Sequence, residues 1–141
     1  AEAAAAGQRV VVGIGEFAVS GSAADVLVTH ALGSCVAVCI WDPVVRVAGL
    51  LHVLLPDSRI NLLRARDQPA TFADTGIPLL FQTAYARGLQ KGRCLVWLVG
   101  GAEMAGGGTS FDIGKLVRTV NLHAVDGRVQ ITSGREISRQ L

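Results

Sequence analysis

Apolar residues along this chain gather in short, β-branched runs separated by glycine, proline and small polar residues. "RVVVGIGEFAVS" (9–20) and "DVLVTHALGSCVAVCIWDP" (25–43) both follow that rhythm, so both predict strands. Asp42-Pro43 marks a turn, and "RVAGLLHVLLP" (46–56) returns as the second arm of a hairpin. "DSRINLLRARDQPAT" (57–71) is polar, Arg-rich and without a clear period, which predicts a long surface loop. From Phe72 the period changes. Ile77, Leu80, Phe81, Ala84 and Tyr85 fall on one face of a helix that ends at Gly88, with Asp74 or Thr75 as its cap and Pro78 in its first turn. "RCLVWLVGG" then predicts a buried strand and "AEMAGGGTS" a glycine-rich loop. A second helix is expected from about Asp112 towards His123, and "GRVQITSGREISRQL" supplies one or two last strands. Strands on both sides of helices predict an α/β (α+β) layered sandwich, a mixed β-sheet with helices packed on it.

The 141 residues suit one domain, 1–141, with residues 1–8 as a loose N-terminal end. Half the chain is hydrophobic and 17% is charged, which favours a packed core over disorder. A net charge of +2, one loose cluster of arginines (Arg59, Arg64, Arg66) and few aromatic residues do not describe a nucleic-acid surface. No apolar run reaches the ~18–20 residues of a membrane span, so no membrane insertion is expected. "AEAAAAGQRV" has no basic region ahead of an apolar segment and reads as a processed end rather than a signal peptide. Three cysteines without paired spacing argue against a disulfide scaffold and for the cytoplasm.

Candidate chemistry begins with Cys35, which follows Gly33-Ser34 at the mouth of an apolar run. A thiol there is either a small buried hydrophobe or a nucleophile on a turn. The small neighbours let a substrate approach and leave backbone N–H groups free to face an oxyanion. His52 lies among leucines on the strand that the hairpin pairs with the Cys35 strand, so thiol and imidazole can meet for Cys–His catalysis. Thr29, six residues before Cys35, is either an ordinary strand residue or the group that orients His52. His30 points the other way and reads as a surface residue, and His123 suits a helix end. Cys39 and Cys94 read as buried small hydrophobes. A zinc site built on Cys35, Cys39 and His52 lacks the usual paired-ligand spacing. "GGAEMAGGGTSFDIGK" fails as a phosphate loop, because Thr109 and Leu116 stand where glycine and Ser/Thr are needed.

Taken in order, "LGSCVAVCIWDP", "GLLHVLLP", "FADTGIPLL" and "VGGAEM…FDIGK" resemble the CheD family of chemoreceptor glutamine deamidases. The resemblance runs from about residue 10 to residue 115. That family carries its catalytic Cys in a Gly-Ser-Cys-Val element, a Thr six residues before it and a His seventeen after it, which fall here on Cys35, Thr29 and His52. The resemblance implies a three-layer sandwich related to deamidating toxins. It implies hydrolysis of glutamine side chains on methyl-accepting chemotaxis receptors through a thioester, with some receptor methylesterase activity, no cofactor and no metal. It also implies a CheC-type CheY-phosphate phosphatase as partner. After Lys115 the chain departs from the pattern: Leu116-Val117 replace the family's Arg-Asn, and about one helix end and one strand are missing. A non-catalytic CheD-like binding module is therefore the alternative expectation.

Overall fold

The hairpin expected around Asp42-Pro43 forms the centre of the molecule, whose computed structural model describes residues 7–30, 32–100 and 118–133. Strand β4 (Val36–Trp41) pairs antiparallel with β5 (Ala48–Val53) over all six residues, from Val36 opposite Val53 to Trp41 opposite Ala48. Asp42 builds the turn. Its carboxylate accepts from the N–H of Val44 (2.8 Å) and Val45 (3.3 Å), then reaches across to the N–H of Gln90 (2.9 Å) and Nε of Arg93 (2.7 Å). Burial alone would raise the pKa of this fully enclosed carboxyl, but the Arg93 and backbone hydrogen bonds outweigh it and hold the pKa to about 2.

Two further strands complete this first sheet. β2 (Phe17–Val19) pairs with the far side of β5, and β6 (Leu95–Gly100) with the far side of β4, all antiparallel, in the order β2-β5-β4-β6. A second sheet is mixed. β1 (Arg9–Val11) runs parallel to β3 (Val26–Thr29), β3 pairs antiparallel with β7 (Arg118–His123), and β7 pairs with β8 (Val129–Ser133). The predicted helix is α2 (Ala73–Ala86), preceded by the short α1 (Leu62–Asp67).

Strand alternation divides the core in two. Ala37, Cys39, Ala48 and Leu50 face the second sheet and pack with Leu27, Val120 and Leu122. Val38, Ile40, Leu51 and Val53 face the opposite way and pack with Leu80 and Ala84 of α2. The layers are therefore sheet, sheet, helix. The α+β layered class agrees with the sequence reading, but the strands form two stacked sheets rather than one.

Several local expectations need correction. Residues 118–123 form a strand, not the end of a second helix; His123 pairs opposite Val26 and bonds Gln130 at 2.8 Å. The alternation of Val120 and Leu122 into the core has period two, and that decides it. Residues 112–117 of the expected helix, and the glycine-rich 101–109, lie outside the described residues. β6 is not buried: Leu95, Val96 and Leu98 are exposed, because β6 lies at the sheet's edge while α2 covers β5 and β2. The expected loop 57–71 contains α1, whose N-cap is the Asn61 side chain accepting from Arg64 N–H at 3.0 Å.

Helix α2 starts earlier than its side chains suggest. The N–H groups of Ala73 and Asp74 are taken by the carbonyls of Leu55 (2.9 Å) and Pro56 (3.3 Å), so no side-chain cap is needed. Asp74 instead receives the N–H and hydroxyl of Ser58, Thr75 donates to Pro69 O, and Pro78 stands inside the helix. Gly88 ends α2 as expected. At φ 104° its N–H bonds Tyr85 O, and Leu89 N–H returns to Ala84 O.

Candidate active site

Cys35 is the residue immediately before β4, following two bends at Gly33 and Ser34. Ala37, two residues on, lies directly opposite His52. Residues two apart share a face of a strand and directly opposed residues share a face of the sheet, so Cys35 and His52 belong to the same inward side. They are cross-strand diagonal neighbours, a relation that sets backbones about 7–8 Å apart and side chains closer. The thiol is half-buried and the imidazole fully buried. No hydrogen bond joins them among the described residues.

Thr29 comes to this place from the other sheet. It is the last residue of β3, fully buried, and its Oγ1 lies 2.7 Å from Nδ1 of His52 and 2.7 Å from the carbonyl oxygen of Val12. A hydroxyl has one proton to give. The carbonyl can only accept, so Thr29 donates to Val12 and accepts from His52. That assigns the imidazole proton to Nδ1 and leaves Nε2 with its lone pair. Nε2 is buried and has no hydrogen-bond partner among the described residues. The side chain is thus a neutral base with one uncommitted nitrogen.

The ionisation of both groups fits that description. Burial lowers the His52 pKa below the ordinary imidazole value and raises that of the Cys35 thiol above the ordinary thiol value. The resting pair is thiol and imidazole rather than thiolate and imidazolium.

Backbone contacts fix both partners. His52 N–H donates to Glu16 O (3.0 Å) and its carbonyl receives Gly15 N–H (2.9 Å), so the 13–16 turn clamps the histidine from the β2 side. Gly100, the last residue of β6, sits at φ 102° beside Cys35, where any side chain would strike the Cys35 carbonyl oxygen. Among the described residues no hydrogen bond engages the N–H groups of Gly33, Ser34 or Cys35.

Sequence reading did not find Val12, Glu16 or Gly100. Two of these act through main-chain carbonyls, which leave no trace in residue type, and only the Gly-Gly pair at 100–101 carried a signal. The remaining candidates separate cleanly. His30 is exposed and bonds Thr119 at 3.2 Å. Cys39 is packed between the sheets with its thiol pushed up to about 12 by burial. Cys94 is half-buried against the carbonyl of Leu95, away from His52. Among the described residues no group of three His, Cys, Asp or Glu side chains is arranged to hold a metal ion. Gly114 and Lys115 lie outside the described residues.

The family model described as "CheD chemotactic sensory transduction" matches residues 54–125. A protein of Anaeromyxobacter dehalogenans named "Probable chemoreceptor glutamine deamidase CheD 2" is 42% identical over 154 aligned positions, covering 92% of this chain and 97% of that one. This chain belongs to the CheD family. CheD relatives named in the same way from Syntrophus aciditrophicus and Solibacter usitatus are 50% and 42% identical, over 75% and 77% of this chain. The chain spans 66% and 64% of those two proteins, whereas it spans nearly all of the first. The family-model match includes α1, α2, β6 and β7. Thr29, Cys35 and His52 all lie upstream of the family-model match, so what brings them together here is the geometry above.

Proposed function

We propose that this CheD protein is a protein-glutamine deamidase that acts on methyl-accepting chemotaxis receptors, with Cys35 as nucleophile, His52 as proton carrier and Thr29 as positioning residue. The observation that carries this reading is the Thr29 hydrogen bond to Nδ1. Among the described residues it leaves Nε2 without a partner, on the same face of the hairpin as Cys35.

In this mechanism Cys35 Sγ attacks Cδ of the glutamine carboxamide while His52 Nε2 takes the thiol proton. The carbonyl electrons move onto oxygen, and the N–H groups from Gly33 to Cys35, unengaged among the described residues, receive that negative charge. Collapse breaks the C–N bond, Nε2 returns the proton to nitrogen, and ammonia leaves a thioester. His52 then takes a proton from water as it attacks the thioester carbon. Collapse expels the Cys35 sulfur, which recovers that proton, and glutamate is released. The same steps with methanol as leaving group hydrolyse a receptor glutamyl methyl ester. A cytoplasmic site of action accompanies these substrates. Among the described residues no helix is long and apolar enough to cross a membrane. A CheC-type phosphatase is a proposed partner on the family resemblance.

Ammonia release from a receptor cytoplasmic fragment tests the proposal. Wild type is expected to convert glutamine to glutamate with a thioester trappable on Cys35, and Cys35→Ala and His52→Ala to do neither while keeping wild-type circular dichroism. Ammonia release by Cys35→Ala at the wild-type rate overturns it. Receptor binding without ammonia from wild type identifies the non-catalytic binding module instead.

A further inference from the structure

Cys35 borders a second space, distinct from the one that holds His52. On the α2 side of the first sheet a pocket of about 200 Å³ opens beside the thiol, lined by Val36, Val38, Val53, Ile77 and Leu98. Val36, Val38 and Val53 alternate with Ala37 and His52, so the pocket lies across the sheet from the imidazole. Cys35 stands at the strand end where the two sides meet.

We propose that this pocket is a specificity subsite that takes one large apolar side chain flanking the target glutamine. The inference rests on the deamidase reading for its substrate, but its chemistry is independent of it. Among the described residues Ser34 contributes the only polar side chain of the lining besides the Cys35 thiol, and none is charged, so a charged or amide group entering it leaves hydrogen bonds unmade. The carboxamide itself therefore belongs on the His52 side. The volume is below the ~300–1,000 Å³ of small-molecule sites and near the ~150 Å³ of an apolar cavity that accepts benzene. One branched aliphatic or aromatic side chain fills it. Leu98 is 69% exposed and Leu54 36% exposed at the rim, apolar surface held in water next to a reactive thiol until something covers it. A substrate polypeptide whose glutamine reaches His52 around the strand end has its neighbouring residues over this opening. Continuity with Cys35 thus selects the substrate chain as occupant.

Alkylation of Cys35 tests the pocket without any deamidase assay. In a Cys94→Ser background, N-benzylmaleimide is expected to modify Cys35 at least about tenfold faster than N-methylmaleimide, relative to their rates with a free thiol, as an apolar pocket discriminates. Leu98→Gln and Leu54→Gln, rim changes outside the catalytic groups, are expected to remove that preference and leave the N-methylmaleimide rate unchanged. In receptor fragments, Asn in place of the flanking apolar residue is expected to raise KM with kcat retained, and Leu98→Gln to abolish that difference. Equal normalised rates for the two maleimides, or a preference that survives both rim variants, overturns the subsite. A wild type that prefers the benzyl reagent but releases no ammonia overturns the deamidase reading alone.

Discussion

Thr29 Oγ1 and His52 Nδ1 are 2.7 Å apart although they belong to different sheets, and the threonine proton is already committed to Val12 O. This one hydroxyl therefore sets the tautomer of the base. Thr29→Val keeps the shape but strands an N–H in the core, a loss of about 1–3 kcal/mol in stability. Its kcat for ammonia release is expected to fall at least about tenfold with KM little changed, while Thr29→Ser retains most activity. Nitrogen NMR of the imidazole gives the readout that separates orientation from mere folding: Nδ1–H in wild type and Thr29→Ser, a tautomer mixture in Thr29→Val.

The resting charge state is open to direct measurement. With the thiol pKa raised and the imidazole pKa lowered by burial, no thiolate absorbance near 240 nm is expected at neutral pH. Alkylation of Cys35 should accelerate with pH through the region above the ordinary thiol value of 9.0. On the acid side His52 protonates only below the ordinary 6.5, so kcat/KM should persist into mildly acidic solution. A thiolate band at pH 7 that vanishes in His52→Ala would establish the ion pair instead.

Gly100 borders the backbone of Cys35, the proposed nucleophile. Gly100→Ala places a methyl group against the Cys35 carbonyl at a φ of 102°, which side chains rarely adopt. Displacement of the nucleophile by about 1 Å costs on the order of a hundredfold in rate. The expected result is a kcat loss of that order and altered Cys35 alkylation, with strain of about 1–3 kcal/mol lowering Tm.

Asp42 supplies an acid-sensitive tie between the hairpin turn, Gln90 and Arg93. Its folded pKa of about 2 lies below the model-compound 3.8, so its contribution is present above the unfolded value and is lost as pH falls from about 4 to about 2. That linkage is on the order of 2 kcal/mol. His52 acts in the same direction at higher pH. Its folded pKa is depressed, so stability it confers above the ordinary 6.5 declines as the solution becomes more acid. Urea unfolding across pH should show both losses, and Asp42→Asn should remove the lower one.

The hairpin, α2 and the Cys35–His52 relation were legible because each rests on side-chain periodicity or on a turn residue. Pairing β4 with β5 was enough to predict that thiol and imidazole share a neighbourhood. What the pattern hid was tertiary. Whether strands join one sheet or stack as two depends on pairings such as β3 with β7, made across about ninety residues, which no local period encodes. The exposure of β6 followed from the placement of α2, not from the strand's own composition. The helix expected near 118–123 failed because a short apolar run there fits either period.

The proposed trio draws its members from both sheets, so on that reading catalytic competence arises only when they dock. A chain in which β4 and β5 have already zipped together presents sulfur and imidazole without the hydroxyl that orients the ring. On the same reading, the thiol is unarmed towards bystander amides until the interior between the sheets has closed. Enzymatic turnover becomes a readout of completed assembly rather than of any single hairpin.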